Sequence, residues 1–268
     1  MGVVLPGAGV RGVLLDVDDT LIGTRAAMVA AGAAAAQAIW PGADPARLAA
    51  AGHRFRADPA GHFRAYTRGA CDFPTMRARR VADVAGWLGV KAGPDDASLW
   101  NTLFEQGMAQ HLTVFDDVLT TLVACRDRGW PVALLTNSSR PYTERKLRIT
   151  GLAAHVSELT AGVVTKDTLG VGKPAPAVFH HACALLDEDA SAVLHVGDEL
   201  DVDPLAALDA GLGAAWLRRP GYPHDPGELT VARGRGLAPL AGLEEVLAAA
   251  TTQGSGPSVG FGSGAAAR

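Results

Sequence analysis

The amino-acid sequence predicts an α/β fold, a doubly wound, Rossmann-like parallel sheet into which an all-helical segment is inserted. Three short apolar runs, at residues 13–15, 132–135 and 192–196, each end in polar residues. Continuous apolar runs of this length are typical of strands buried on both faces of a parallel sheet. Helical patterns alternate with the later runs, which favours a doubly wound core.

The elements follow in a simple order. After the first strand, helical patterns without a convincing strand lie at 24–40, 45–57, 60–69, 75–88 and 97–110. The remaining helical patterns lie at 117–127, 142–150, 175–186 and 204–210, each closed by or near a glycine. We therefore expect a core domain from residues 1–22 and 112–250, a helical cap domain over 23–111, and a Gly/Ser-rich flexible tail over 251–268.

Composition excludes several classes of protein. The 268 residues are 48% hydrophobic with a net charge of −4, so neither a disordered chain nor a nucleic-acid or membrane partner is expected. The longest apolar stretch, residues 26–36, falls short of the roughly 18 residues that a membrane span needs. Three widely spaced cysteines and no signal-like start indicate a cytoplasmic protein, either a monomer or a homodimer.

Two carboxylates separated by one residue follow the first predicted strand, in the segment DVDDT over residues 16–20. Side chains at i and i+2 share one face of an extended segment, so Asp16 and Asp18 can address one ligand. At about 4 Å they repel each other by roughly 1 to 4 kcal/mol, depending on the effective dielectric. A cation or a shared proton is therefore expected between them.

Further acidic groups follow the third predicted strand, in the segment GDELDVD over residues 197–203. All-oxygen ligation with few carboxylates is what Mg²⁺ prefers, so magnesium is the expected cofactor. After the second strand, Thr136 offers a hydroxyl and the next backbone N–H groups can donate to an anion, while Lys173 supplies a positive charge. These groups are suited to holding a phosphate.

These four segments, in this order, resemble the signature motifs of the haloacid dehalogenase-like hydrolase superfamily. DVDDT is similar to its first motif, Thr136-Asn137 to its second, Lys173-Pro174 to its third and GDELDVD to its fourth. The position of the predicted cap, between the first and second motifs, is similar to that in the subgroup with phosphoglycolate phosphatase. The resemblance implies a phosphoric monoester hydrolase acting on a small phosphorylated metabolite.

The resemblance also implies a role for each matching residue. Asp16 is expected to attack phosphorus and form an aspartyl-phosphate, and Asp18 to act as general acid and then general base. Thr136, Asn137 and Lys173 are expected to bind the phosphoryl oxygens. The expected metal ligands are the carboxylates of Asp16 and Asp198 and the backbone carbonyl of Asp18; Asp203, the second acid of the last motif, would orient metal-bound water or Lys173.

Three alternatives stay open at this stage. A phosphomutase would share the core chemistry, and a metal-independent 2-haloacid dehalogenase would share the fold, although halide departure gives Asp18 nothing to protonate. A non-catalytic phospho-ligand binding protein is the alternative from another class. His195 is interpreted as a core histidine, and the cap arginines, with Arg68 and Arg77 foremost, as either a solvated face or a second anion-binding point.

Overall fold

The computed structural model describes residues 2–222 and 225–252, which form nine strands and thirteen α-helices. The strands are β1 Val3–Val4, β2 Gly12–Leu15, β3 Ile22–Gly23, β4 Thr113–Val114, β5 Val132–Leu135, β6 Gly162–Val164, β7 Val193–Gly197, β8 Gly213–Leu217 and β9 Pro239–Leu240. The helices are α1 Arg25–Ile39, α2 Pro45–Ala57, α3 His62–Thr67, α4 Phe73–Leu88, α5 Asp96–His111, α6 Val118–Asp127, α7 Arg140–Ile149, α8 Ala153–Leu159, α9 Lys166–Leu169, α10 Pro176–Leu185, α11 Pro204–Asp209, α12 Pro226–Gly234 and α13 Leu243–Thr252.

The main sheet has the order β1-β8-β7-β2-β5-β6, with β9 also paired to β8. Strand β2 is central and runs parallel to both β5 and β7, and only the edge strand β1 is antiparallel to its neighbour within the described sheet. The three predicted apolar runs are β2, β5 and β7, and every residue of these strands is buried. The prediction of a doubly wound α/β fold is confirmed.

Helices cover both faces of the sheet. On one face, α6, α7, α8 and α13 pack over Val13, Leu15, Val132 and Leu134. On the other face, α10, α11 and α12 pack over Leu14, Ala133 and Leu135. Alternate residues of β2 and β5 therefore enter opposite cores, which explains why these strands are apolar throughout.

Helices α1 to α5 lie between β3 and β4 and enclose a third hydrophobic core of their own, centred on Trp100, Phe55 and Phe104. Strands β3 and β4 pair antiparallel, with Ile22 opposite Val114 and Gly23 opposite Thr113. The chain thus leaves the sheet and returns to it through one two-stranded ribbon. The division of residues 23–111 into a separate cap domain stays a proposal; β3 spans its predicted start, and β4 begins just after its predicted end.

Local sequence explains where the helices of this segment begin and end. Asp44 precedes Pro45 and its side chain accepts the backbone N–H of Arg47, while Asp72 accepts the N–H of Thr75 in the same way. Both arrangements satisfy free N–H groups in the first helical turn. Helix α4 ends at Gly89, whose φ of 80° is favourable for glycine.

Several elements have no counterpart among the predicted ones. Strand β8 reads Gly-Ala-Ala-Trp-Leu, which lacks the β-branched residues typical of strands, and its buried position in the sheet outweighs that weak propensity. Helix α13 extends to Thr252, two residues past the predicted start of the flexible tail. The rest of that predicted tail, residues 253–268, lies outside the described residues. Across the described ranges, no helix combines the length and apolar character needed to cross a membrane.

Helix α1 is rich in alanine because its neighbours approach it closely. A Cβ atom on Gly52 of α2 would lie 1.9 Å from the carbonyl oxygen of Val29, and one on Gly107 of α5 would lie 2.8 Å from the Cβ of Ala31. Glycine on the neighbouring helices lets the backbones meet at this distance, and any larger residue requires the helices to separate.

We expect Gly52→Ala to lower the free energy of unfolding by about 2 kcal/mol or more, because its methyl group overlaps the backbone of α1. The matched control is Gly86→Ala in α4, where nothing lies within 4 Å of the added Cβ. This control should raise stability by about 0.5–1 kcal/mol through helix propensity. Urea unfolding of both variants measures the difference, and equal effects would contradict the close packing.

Candidate active site

The predicted site residues gather at one edge of the sheet. Asp16 follows β2, Thr136 follows β5 and Asp198 follows β7, and these three strands are adjacent and parallel. After β2 the chain forms β5 and β6 on one side of it and then crosses to form β7 on the other side. The carboxyl ends of β2, β5 and β7 therefore border a topological switch point. This is where open α/β sheets form their ligand crevice.

Lys173 is the centre of the site. Its ammonium group lies 2.6 Å from Oδ1 of Asp16 and 2.5 Å from Oδ1 of Asp203, and its side chain is only 2% exposed. Asp203 also accepts a hydrogen bond from the backbone N–H of Glu199 at Oδ2 and lies 3.0 Å from Nε2 of His195 at Oδ1. One buried cation thus joins acids from the first and last motifs.

The electrostatic environment differs among these acids. Burial works to raise the pKa of Asp203, but Lys173 and the hydrogen bond from His195 outweigh it and hold that pKa below the usual range. Burial raises the pKa of Asp16 to about 8, opposed by Lys173 and assisted by Asp203 and Asp18. Burial, and then the charges of Glu199 and Asp16, raise the pKa of Asp198 well above normal. The charged forms of Asp16 and Asp198 are therefore unfavourable in this buried site, although Lys173 contacts Asp16 and Arg25 lies 3.5 Å from Asp198, and a bound cation would favour them.

His195 is fully buried, as expected of a core histidine, and Phe179 lies edge-on to its ring at 5.2 Å. Burial lowers its pKa, with Asp203 opposing the shift. His195 is accordingly neutral near pH 7, and its contact with Asp203 fixes that carboxylate beside Lys173.

The Asn137 side chain holds the lysine segment in place. Its Nδ2 donates to the carbonyl oxygen of Lys173 at 2.9 Å, and its Oδ1 accepts the N–H of Lys173 at 2.7 Å. A Cβ at position 172 would lie 2.3 Å from that Oδ1, so the contact requires Gly172. The expected binding of a phosphoryl group by Asn137 stays a prediction, and the side chain has one N–H left for it, because the other N–H and the Oδ1 atom bind the backbone of Lys173.

Thr136 is 1% exposed and borders the same cavity as Asp16. Its hydroxyl oxygen accepts the N–H of Ser138 at 3.2 Å, an arrangement that turns the chain sharply after β5. The expected binding of phosphoryl oxygens by the Thr136 hydroxyl stays a prediction.

Asp18 lies on the cavity wall, and its side chain contacts two residues that the sequence analysis did not identify. Lys146 of α7 contacts both carboxylate oxygens, with a distance of 2.6 Å to Oδ2, and the Ser138 hydroxyl donates to Oδ2 at 2.9 Å. Lys146 is 2% exposed. The available signal was its place on the buried stripe of α7 between Thr143 and Leu147, where a lysine is unusual.

Asp19, the next residue, has a structural role and holds the start of α1. Its φ is 58°, in the left-handed region, and its Oδ1 accepts the N–H groups of Thr24 and Arg25 at 2.9 and 2.8 Å. The Tyr222 hydroxyl donates to the same oxygen at 2.5 Å. Asp19 therefore anchors the first turn of α1, the start of the helical segment, directly beside the acidic cluster.

Three carboxylates are placed to hold a cation. Oxygen atoms of Asp16, Asp198 and Asp203 lie within 4.8 Å of one another. Both carboxylate oxygens of Asp203 already accept hydrogen bonds, from Lys173, His195 and the backbone of Glu199. Asp16 and Asp198 are therefore the better candidates for direct ligands. The side chain of Asp18 is not among these three, and Asp201 is exposed and paired with Arg64. A buried donor set made only of carboxylate oxygens fits Mg²⁺.

The acids face a cavity of about 530 Å³ between the sheet and the helical segment. Asp16, Asp18, Thr136 and Lys173 form its floor on the sheet side, and residues of α2, α4 and α5 form the opposite wall. The volume is that of a site for a small organic molecule.

The family model described as haloacid dehalogenase-like hydrolase matches residues 10–211. The phosphoglycolate phosphatase of Cupriavidus necator is 32% identical over 140 residues, which is 52% of this chain and 58% of that protein. The N-acylneuraminate-9-phosphatase of Rattus norvegicus is 30% identical over 135 residues, covering 49% and 52%. The chain thus spans about half the length of the curated relatives it matches.

Among solved structures, the HAD-hydrolase YfnB from Bacillus subtilis, bound to magnesium, superposes with a TM-score of 0.67. The match covers 91% of this chain and 99% of that one at 18% identity. At this identity the similarity shows a shared fold, in agreement with the sheet order and the inserted helices.

We expect Lys173→Met to lower the free energy of unfolding by about 3 kcal/mol or more in EDTA, because it leaves Asp16 and Asp203 buried without their cation. Lys91→Met, at an exposed position, is the control and should change stability by less than about 0.5 kcal/mol. Urea unfolding at pH 7 measures both. A Lys173→Met effect no larger than that of the control would show that the buried contacts contribute nothing.

Proposed function

Because this chain belongs to the haloacid dehalogenase-like hydrolase family, we propose that it is a magnesium-dependent phosphatase that hydrolyses a small-molecule phosphate monoester through an aspartyl-phosphate on Asp16. The observation that carries the proposal is the buried cluster of Asp16, Asp198, Asp203 and Lys173 facing a cavity that Asp18 also borders. The names of the two phosphatase relatives support the same class of substrate.

The first step forms a bond between the carboxylate of Asp16 and phosphorus while the bond from phosphorus to the leaving oxygen breaks. Asp18, in its protonated form, gives its proton to the leaving alkoxide, which departs as the alcohol. Lys173 lies 2.6 Å from Asp16, so its positive charge is available to the phosphoryl oxygens beside the nucleophile, with Thr136 on the neighbouring strand end.

In the second step Asp18, now ionised, removes a proton from water, and the water oxygen bonds to phosphorus as the bond to Asp16 breaks. The products are inorganic phosphate and free enzyme, so one carboxyl group serves as acid and then as base. Bound Mg²⁺, held by Asp16 and Asp198, would supply positive charge that reduces repulsion between the carboxylates and the phosphoryl group. Asp203 and His195 keep Lys173 in position. A cytoplasmic location and a small phosphorylated partner are part of the same proposal.

We expect hydrolysis of p-nitrophenyl phosphate by the wild type to require added Mg²⁺, and Asp16→Asn to lose at least about a thousandfold in kcat, because the amide is a poor nucleophile. Release of phosphate with and without EDTA measures both effects. Asp201→Asn, at an exposed acid of the fourth motif, is the control and should keep Mg²⁺-dependent turnover.

Other outcomes distinguish the alternative functions. Turnover that persists in Asp16→Asn would contradict the nucleophile. Metal-independent chloride release from 2-chloropropionate would favour a dehalogenase, and transfer of phosphate between sugar positions would favour a phosphomutase. Binding of phosphate esters without turnover of any member of a broad panel would favour a binding protein.

We also propose that Lys146 positions Asp18. The ammonium group contacts both carboxylate oxygens of Asp18 and lies 3.1 Å from the Ser138 hydroxyl, so two groups fix the orientation of the general acid. A displacement of about 1 Å in such a group can cost on the order of a hundredfold in rate.

We expect Lys146→Met to lower kcat/KM about tenfold or more for alkyl phosphates and much less for p-nitrophenyl phosphate, because p-nitrophenolate leaves without a proton. Arg148→Met removes an exposed charge from the same helix and serves as the control. Steady-state kinetics with both substrates gives the ratio. An equal loss for the two esters would show that Lys146 acts on stability or binding and not through the general acid.

A further inference from the structure

Two arginines of helix α4 face the cavity from the helical segment. Arg77 is 4% exposed and Arg80 is 6% exposed, whereas Arg79 between them is exposed to solvent. Both buried arginines border the cavity whose floor carries Asp16 and Lys173. Positive charge thus lies on the wall opposite the acidic cluster.

The Arg77 guanidinium lacks a compensating anion. Its Nε and Nη1 atoms are buried without a hydrogen-bond partner, and no carboxylate in the described ranges 2–222 and 225–252 forms an ion pair with it. The nearby acid Glu105 is paired with Arg145 of α7. The neighbours of the guanidinium are the rings of Phe55, Phe73 and Phe104, with centroids 4.8 to 5.3 Å from Cζ.

Arg80 is better satisfied but still short of negative charge. It donates to the carbonyl oxygen of Phe55 at 2.5 Å and lies 3.8 Å from Asp58, whose other oxygen accepts the N–H of Phe63. Its Nε is buried without a hydrogen-bond partner among the described residues. Of these two buried guanidinium groups, only that of Arg80 therefore forms an ion pair with a carboxylate among the described residues.

A purely structural role does not explain this arrangement. Contacts with aromatic rings stabilise a cation, and Tyr142 hydrogen-bonds with the guanidinium, but Nε and Nη1 of Arg77 still have no hydrogen-bond partner. Burial lowers the pKa of Arg77, and that of Arg80 to about 10, yet both groups remain cationic at pH 7. Burying a charge without an ion-pair partner is unfavourable, so a methionine or leucine would serve a merely structural purpose better.

The surroundings of these arginines indicate the rest of the ligand. Phe63, Phe73, Phe104, Met76, Met108 and Tyr142 line the same part of the cavity. Such a wall suits an apolar or planar body that bears a charged group at its far end, since aromatic and thioether side chains pack well against flat, apolar surfaces.

We propose that Arg77, supported by Arg80, binds a second anionic group on the leaving alcohol, so that the substrate class is phosphate monoesters whose apolar body carries a carboxylate or a second phosphate. This inference rests on the proposed function for the position of the reacting phosphate at Asp16. Bidentate guanidinium contacts are well suited to both carboxylate and phosphate.

The test compares phenyl phosphate with 3- and 4-carboxyphenyl phosphate and with 1,4-phenylene bisphosphate. In the wild type we expect kcat/KM for at least one anionic ester to exceed that for phenyl phosphate tenfold or more, and the two kinds of anion show which is preferred. Arg77→Met should reduce this ratio at least tenfold, and Arg80→Met should reduce it less. Arg79→Met, on the exposed side of the same helix, should leave the ratio unchanged.

A binding measurement separates this inference from the proposed function. Thermal unfolding of Asp16→Asn with 4-carboxyphenylphosphonate, compared with phenylphosphonate, reports the second anion without turnover. A larger stabilisation by the carboxylated ligand that disappears in Asp16→Asn/Arg77→Met supports the inference even if no ester is hydrolysed, an outcome that would reject only the phosphatase. Equal stabilisation by the two ligands, or hydrolysis of phenyl phosphate with no preference for any anionic ester, overturns the inference while the phosphatase stands.

Discussion

The contact of Lys173 with Asp16 and Asp203 is the constraint on which the rest of the site depends. It joins the ends of β2 and β7 through a residue that belongs to neither strand, and burial makes the three charges mutually dependent. The Asn137 amide fixes the backbone of Lys173, and Gly172 leaves room for that amide. One lysine thus requires residues from four separate segments to keep their places.

The clustering of acids beside this lysine has a structural consequence. Asp16 and Asp198 are buried next to Asp203, with Lys173 and the partly exposed Arg25 as the cations that contact them, and burial disfavours their charged forms in the folded protein alone. Proteins commonly accept such strain at sites that bind a charged partner. Opposite this cluster, Arg77 and Arg80 place positive charge on the far wall of the cavity, whereas the floor carries the acidic side chains.

Much of the fold could be predicted because the central strands are apolar throughout and deliver polar residues at their ends. Strands β2, β5 and β7 were predicted on that pattern, and the inserted helices have clear caps at Asp44 and Asp72. Strand β8 was missed because glycine and alanine carry little strand propensity, and only its place between β7 and the edge strands makes it extended. The positions of the acidic motifs at the ends of these strands predicted that Asp16 and Asp198 approach each other, but not that the side chain of Asp18 contacts Lys146.

The residues that were missed depend on long-range packing. Lys146 and Asp18 are 128 positions apart, so their contact requires the placement of α7 over β2, which no local pattern contains. Arg77 was one of the two cap arginines favoured from the sequence, but its burial was not predicted, because Arg77 and Arg79 are equally charged and only the rotation of α4 on its neighbours buries one and exposes the other. The uncompensated guanidinium of Arg77 is likewise a property of the folded protein.

The β3–β4 ribbon bears on how such a chain can diversify. Because Ile22 and Val114 are paired, the polypeptide departs from the sheet layer and re-enters it at adjacent points. Whatever lies between these points can lengthen, shorten or be exchanged by recombination without altering the spacing between Asp16 and Thr136. The reacting centre and the surface that selects its ligand are therefore free to evolve at different rates. Electrostatic interactions constrain the reacting centre, whereas the selecting surface can change by replacement of whole helices.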